Sequence, residues 1–361
     1  MTGRERILAA LHRQKVDRIP WSPLVDSYLL SSLPLATSSR LGRPGGPRDK
    51  YELCRQIGAD IFDWHPQGRT LHYRNVQIHT RKSGNDVFTT IRTPAGTLTE
   101  RRMVTPVTTF LAEPKIKTVA DLAAYRFWIE NTQVEPDDSV RRSQQLCGDD
   151  GLAIVCGPQS PAQLLIGEES GLENFYFLLA DHEPELTELL DAMHAKNLET
   201  YRMLAQEPTV AILAPEDVST TTMSPEVCGR FTFRYLDEYT DVAHAAGKLL
   251  LGHMCGRLAG MASLIAASRI DGVESVTPPD IGDMPIDRAR AAWPGKILIG
   301  GLEPAKLATL NPAAVHTYVR DTLRAASPGD GFILSTGDAT PYGTPLENLR
   351  AVSQEIEAFH S

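Results

Sequence analysis

What this chain has little of narrows the field first. Its five cysteines, Cys54, Cys147, Cys156, Cys228 and Cys255, are odd in number and contain no Cys-x-x-Cys pair, which argues against a disulfide framework. Four of them are expected as small buried apolar residues. No run approaches the roughly 18 apolar residues of a membrane helix. The apolar stretch at the N-terminus is short and broken by charge, unlike a signal peptide. Basic residues are in the minority: 36 Lys and Arg stand against 45 Asp and Glu, for a formal net charge of -9. A sequence-independent nucleic-acid binder needs a basic face, and an anionic membrane offers this chain no attraction. No Gly-x-Gly-x-x-Gly follows an apolar strand, and no repeat of solenoid period is present. The expectation is a cytoplasmic protein with neither nucleic acid nor membrane as partner.

What is there has a regular order. Thr2 and Glu5 have capping-box spacing, and Ile7, Leu8 and Leu11 follow at helical intervals. "RIPWSPLV" (18–25) reads as a first strand, and "SSRLGRPGGPRD" (38–49) as a solvated connector. "YELCRQIGADIFDWHPQG" (51–68) reads as helix, glycine stop and strand. Residues 75–104 alternate, with turn signals at Ser83-Gly-Asn-Asp and Pro94-Ala-Gly, and predict an antiparallel hairpin or three-stranded insert. From about 150 onward short apolar strands alternate with helices. The strands are expected at 151–157, 209–215, 248–254, 271–277, 296–302 and 331–337. Ser224-Pro225, Asn311-Pro312 and Thr344-Pro345 each put a capping side chain before a first-turn proline. Six such units plus those near 20 and 60 predict a (β/α)8 barrel of the α/β class. It would be one domain over residues 1–361, with an N-terminal helical extension and the β-hairpin insert. A doubly wound open sheet is the alternative pattern.

In such a barrel, active-site residues stand at the C-terminal strand ends. Those positions hold Asp63 and His65, then Glu216, Asp217 and Ser219, then His253 and Cys255. Glu274 lies inside the next strand, and Ser335, Thr336 and Asp338 close the last. Residues i and i+2 of a strand share a face, so His253 and Cys255 can reach one ion, and zinc takes imidazole with thiolate. The spacing alone is weak: chance supplies it in on the order of one in seven chains of this composition. A buried thiol beside a hydrogen-bonded histidine is the plain alternative. Glu274 in an apolar strand must be paired, protonated or metal-bound. Asp217 and Asp338 are also ordinary loop-capping residues. His65 precedes Pro66 and reads equally as a loop residue. Glu303, before Pro304, is expected to face water.

At these residues a family comes into view. "RERILAALHRQKVDRIP", "RTPAGTL", "HMCGRL", "IDGVESVTPPDIGDMP", "ILIGGLEP" and "FILSTGDATPYGTPLENL" resemble, in order along nearly the whole chain, the uroporphyrinogen decarboxylase superfamily. The resemblance implies a (β/α)8 barrel and two chemistries. Metal-free decarboxylases of the family carry an arginine-rich stretch after the first strand, where this chain has "WSPLVDSYLLSSLP", without arginine. The other branch holds corrinoid-dependent methyltransferases, and "VESVTPPDIGDMP" looks most like members that demethylate small methoxylated compounds. In its thiol-methylating members zinc is held by His-x-Cys after the fifth strand and by a cysteine of the last barrel loop. His253 and Cys255 match the first two, and the third position falls on Asp338. The resemblance thus implies one zinc per chain on His253, Cys255 and either Asp338 or Glu274. Asp217 and Glu274 would be catalytic carboxylates, and Asp63, Trp64, His65 and Ser219 would lie around a small methylated substrate. It also implies a corrinoid supplied by a separate corrinoid-binding protein, and it is compatible with a homodimer. A metal-free decarboxylase and a non-catalytic barrel that binds a tetrapyrrole or corrinoid partner are the alternatives.

Overall fold

The computed structural model describes residues 1–33, 47–106 and 108–360. Of the connector expected at 38–49, residues 38–46 lie outside the described residues, while 47–49 open the helix Pro47–Ile57.

The alternating apolar strands assemble as their composition requires, in parallel. Val155–Cys156, Ala211–Glu216, Leu249–Met254, Gly272–Val276, Ile297–Leu302 and Phe332–Thr336 form one six-stranded sheet in chain order. Gly151–Ala153 runs directly into Val155–Cys156 and pairs with Ile61–Asp63. The segment 20–22 closes the ring. Leu334 N donates to Pro20 O at 2.9 Å, Ser22 N to Leu334 O at 3.0 Å, and Asp60 N to Trp21 O at 2.8 Å. The strand expected at 18–25 is therefore a single bridge, Trp21 to Leu334. Prolines at 20 and 23 remove two amide donors on either side of it. With this seam closed, the fold is a (β/α)8 barrel.

Side chains alternate across each strand. Phe62, Ile154, Leu213, Leu251, Ile299 and Ile333 fill the interior, while Val155, Ile212, Leu250, Val273, Leu298 and Phe332 pack outward against the helices. The helix Gly3–Leu11 keeps its Thr2–Glu5 capping box and packs Ile7, Ala10 and Leu11 on the interior cluster. The caps at Ser224 and Asn311 are present as expected.

The insert is larger than the alternation suggested. Gln77–Ser83, Asp86–Thr93, Gly96–Val104 and Thr109–Glu113 form a four-stranded antiparallel sheet in that order. Arg69–Tyr73 pairs separately with Thr132–Pro136. Lys115 bridges the sheet to the barrel side, donating to Glu100 at 2.9 Å and Glu169 at 3.0 Å in a buried cluster. Glu303 does not face water. It is 2% exposed and caps the helix Pro304–Thr309 by accepting from the amides of Ala305 and Lys306, because the proline at the first helical position leaves those donors next in line.

Candidate active site at the barrel mouth

Interior alternation carries Leu249 and Leu251 up to His253, and the next strand places Glu274 in register beside it. His253 Nδ1 and a Glu274 carboxylate oxygen are hydrogen-bonded. Only 2% of the Glu274 side chain is exposed, so this partner answers the need a buried carboxylate has. Burial alone would lower the His253 pKa, but Glu274 and Cys255 override it and hold it well above the usual histidine range. The Cys255 thiol contacts the same imidazole. Burial pushes that thiol up, and His253 offsets part of the rise.

Asp217 reaches Cys255 from the neighbouring strand end. Its pKa is raised, first by burial and further by the like charge of Asp338. Asp338, whose charge acts on Asp217 and Cys255, also accepts from Ala339 N at 2.6 Å and so organises its own turn. Gly256, at φ +85, turns the chain away directly after Cys255. A Cβ there would lie 2.7 Å from Ser219. The turn lets Arg257 N donate to Ser219 Oγ at 3.0 Å, and that hydroxyl also meets Thr221 Oγ1 at 2.7 Å. Ser219, expected near substrate, is buried and ties two mouth loops together.

On the other side, the Trp64 ring centroid lies 5.3 Å from that of His253, and Trp64 stacks on His65 at 4.4 Å. His65 and Asp63 share Lys50, whose Nζ is 2.9 Å from each. The structure thus gathers His253, Cys255, Glu274, Asp217 and Asp338 into one charged group, with Trp64 and His65 at its edge. Sequence reasoning passed over Lys50 and Tyr51, because a helix register places them and no motif marks them. It placed Glu216 at a strand end but gave it no role. That carboxyl is fully buried, accepts from Ser160 N at 2.8 Å and Oγ at 2.6 Å, and is pushed by burial up to about 8.

The donor types suit zinc. With Nδ1 held by Glu274, the other ring nitrogen of His253 is the one left for a metal, the arrangement in which a carboxylate orients a metal-bound imidazole. Cys255 and the carboxylates of Asp217 and Asp338 supply sulfur and oxygen donors. Among the described residues, no three His, Cys, Asp or Glu side chains already stand together as a ready metal cage.

Residues 63–68, "DWHPQG", have the Asp-x-His-x-x-Gly spacing of corrinoid-binding loops. Here the segment follows a barrel strand and runs straight into the strand Arg69–Tyr73, with His65 Nδ1 engaged by Lys50 and Asp63. A motif counts only in its structural context, and this one is part of the barrel mouth.

The comparisons with known proteins agree with the fold. A methyltransferase from Methanosarcina mazei aligns over 100% of both chains with a TM-score of 0.67, at 15% identity. That identity speaks for the fold alone. A curated uroporphyrinogen decarboxylase from Anaeromyxobacter dehalogenans (strain 2CP-C) is 38% identical over 76 residues, 21% of this chain and 22% of that protein. The match thus spans about a fifth of that relative's length. The family model described as Uroporphyrinogen decarboxylase (URO-D) matches residues 151–359. That stretch carries six of the barrel strands and most of the mouth, and on it the chain belongs to the uroporphyrinogen decarboxylase family.

Proposed function

We propose that this protein is a zinc-dependent methyltransferase that moves a methyl group between a small methylated substrate, such as a methoxylated aromatic compound, and a corrinoid carried by a partner protein. One observation carries the reading: the imidazole of His253, its Nδ1 paired with buried Glu274, lies against the Cys255 thiol at the barrel mouth. His253 and Cys255 would hold the metal, with Asp338 as the third ligand. Glu274 is better placed to orient His253 than to bind metal itself. Bound zinc would supply a Lewis acid for the negative charge that develops on the leaving oxygen, or a thiolate in the reverse direction. Asp217, its pKa raised by burial and by Asp338, would hold a proton beside the departing oxygen. Trp64 would wall the substrate. Among the described residues no helix is long and apolar enough to cross a membrane, which accords with a cytoplasmic role.

The test is metal content of protein purified without chelator, beside Cys255→Ala. About one zinc per chain, lost in the variant, is expected. No metal in the wild type, with activity unchanged by Cys255→Ala, overturns the reading. The family match favours a second reading, a metal-free decarboxylase. Turnover of a porphyrinogen by metal-stripped protein would establish it, despite the absence of arginine from residues 21–34.

A further inference from the structure

The strand Gly272–Val276 slips its register against Ile297–Leu302 at one residue. Glu274 pairs with Ile299 and Val276 with Gly300, so Ser275 is the extra residue of a β-bulge. Its φ is +75, where few residues other than glycine stand. Glu274 keeps its place beside His253. In an unbroken strand, residue 275 would follow Val273 to the outer side of the barrel. The bulge instead brings the Ser275 hydroxyl to the carbonyl oxygen of Gly337, directly after the strand Phe332–Thr336. Thr277 Oγ1 lies 2.9 Å from the same oxygen and 2.9 Å from Ser275 O. Its single proton is shared between those two acceptors, while Ser275 donates to Gly337 O. A carbonyl oxygen has two lone pairs and takes both hydroxyls.

This contact spans a whole strand, since Ile297–Leu302 lies between its two sides. Glycines make the room. A Cβ on Gly337 would lie 2.1 Å from Thr277 Oγ1, and one on Gly300 would lie 2.4 Å from Val276 O. The Gly337 carbonyl belongs to the planar peptide that carries the Asp338 amide. Holding that oxygen therefore sets the plane from which Asp338 leaves. The residues on either side are held from elsewhere: Leu24 N donates to Thr336 Oγ1 and Thr340 N to Leu24 O, both at 2.9 Å. Ser275 and Thr277 are buried, so water does not compete for their bonds.

We propose that Ser275 and Thr277 are positioning residues, whose hydroxyls clamp the Gly337 carbonyl and so fix where the Asp338 carboxylate stands against Asp217 and Cys255. One bulge thereby aligns two carboxylates, Glu274 on its own strand and Asp338 two strands away. That the aligned group binds metal rests on the function proposed above; the clamp itself does not.

The experiment compares the double variant Ser275→Gly, Thr277→Val with wild type in the full chain, by two readouts. Glycine suits the φ of position 275, and valine keeps the shape of threonine without its hydroxyl. Thr277→Ser, which keeps the hydroxyl, is the control. If the double variant fails to fold, Ser275→Gly alone is carried through both readouts, with a severalfold effect expected. Hydrogen exchange of the metal-free protein, followed by mass spectrometry, should quicken about tenfold at Gly337 and Asp338, the scale of one lost hydrogen bond. The strand Ala211–Glu216 should stay as protected as in wild type, and Thr277→Ser should match wild type throughout. Zinc titration against a chromogenic chelator should show about tenfold weaker affinity at unchanged stoichiometry. That loss should vanish in an Asp338→Asn background, because the clamp acts through that side chain. Unchanged exchange at Gly337 and Asp338, or a zinc loss that adds in full to that of Asp338→Asn, overturns the proposal. A wild type that binds no zinc sinks the proposed function instead, and exchange alone then decides the clamp.

Discussion

At the scale of the residue, the sequence exposed the His253–Cys255 pair and hid its support. His253 and Cys255 were legible because a strand repeats every two residues. The role of Glu274 was not, since it comes from the register between strands that places it opposite His253. Glu274→Gln is expected to weaken zinc affinity about tenfold to a hundredfold without changing stoichiometry, the usual effect of losing a partner behind a ligand. Competition with a chromogenic chelator measures it, and affinity equal to wild type would remove Glu274 from that role. Glu216 makes a different prediction. Its folded pKa, raised by burial to about 8, stands above the 4.5 of an ordinary glutamate. Between those values the folded protein keeps a proton that the unfolded chain has lost, so this group's contribution to stability falls as pH rises. Glu216→Gln abolishes that titration. Its melting temperature relative to wild type should climb from pH 5 to pH 8, and a flat difference across that window refutes the assignment.

At the scale of the element, alternation was reliable and its extent was not. Both hairpin turns fall where Gly84-Asn85 and Pro94-Ala95 were read. The fourth strand, Thr109–Glu113, escaped because it is a short, largely exposed edge whose pattern resembles loop. What fastens this sheet is the buried Lys115 between Glu100 and Glu169. Lys115→Met leaves two buried carboxylates without their shared cation, and should cost about 3–5 kcal/mol. Urea denaturation checks it; a loss below about 1 kcal/mol would mean the pair is reached by water and behaves as a surface bridge.

At the scale of the whole molecule, the barrel depends on a seam of few hydrogen bonds around Trp21, which is fully buried. Trp21→Ala should destabilise the protein by about 3–5 kcal/mol, the cost of emptying a large core site. Ile7→Ala, under the interior cluster at the N-terminal helix, should cost about 2–5 kcal/mol. If the barrel unfolds as one unit, both variants lower the midpoint of the same transition. Loss of one seam without the other in the melting profile would show that they belong to separate units.

The sequence by itself determined the alternation of strands and helices, the caps at Thr2, Ser224 and Asn311 and the His-x-Cys pair, while closure of the strands into a barrel waited on the hydrogen bonds around Trp21. The first three follow from local periodicity or from a cap a few residues away. Only the tertiary structure decided that Glu274 pairs with His253 and that Asp63 is paired with Lys50 and hydrogen-bonded by Tyr51 from a preceding helix. Those partners lie in different segments of the chain. A charge in the interior is defined by its nearest opposite charge, and nothing in the local pattern names that neighbour.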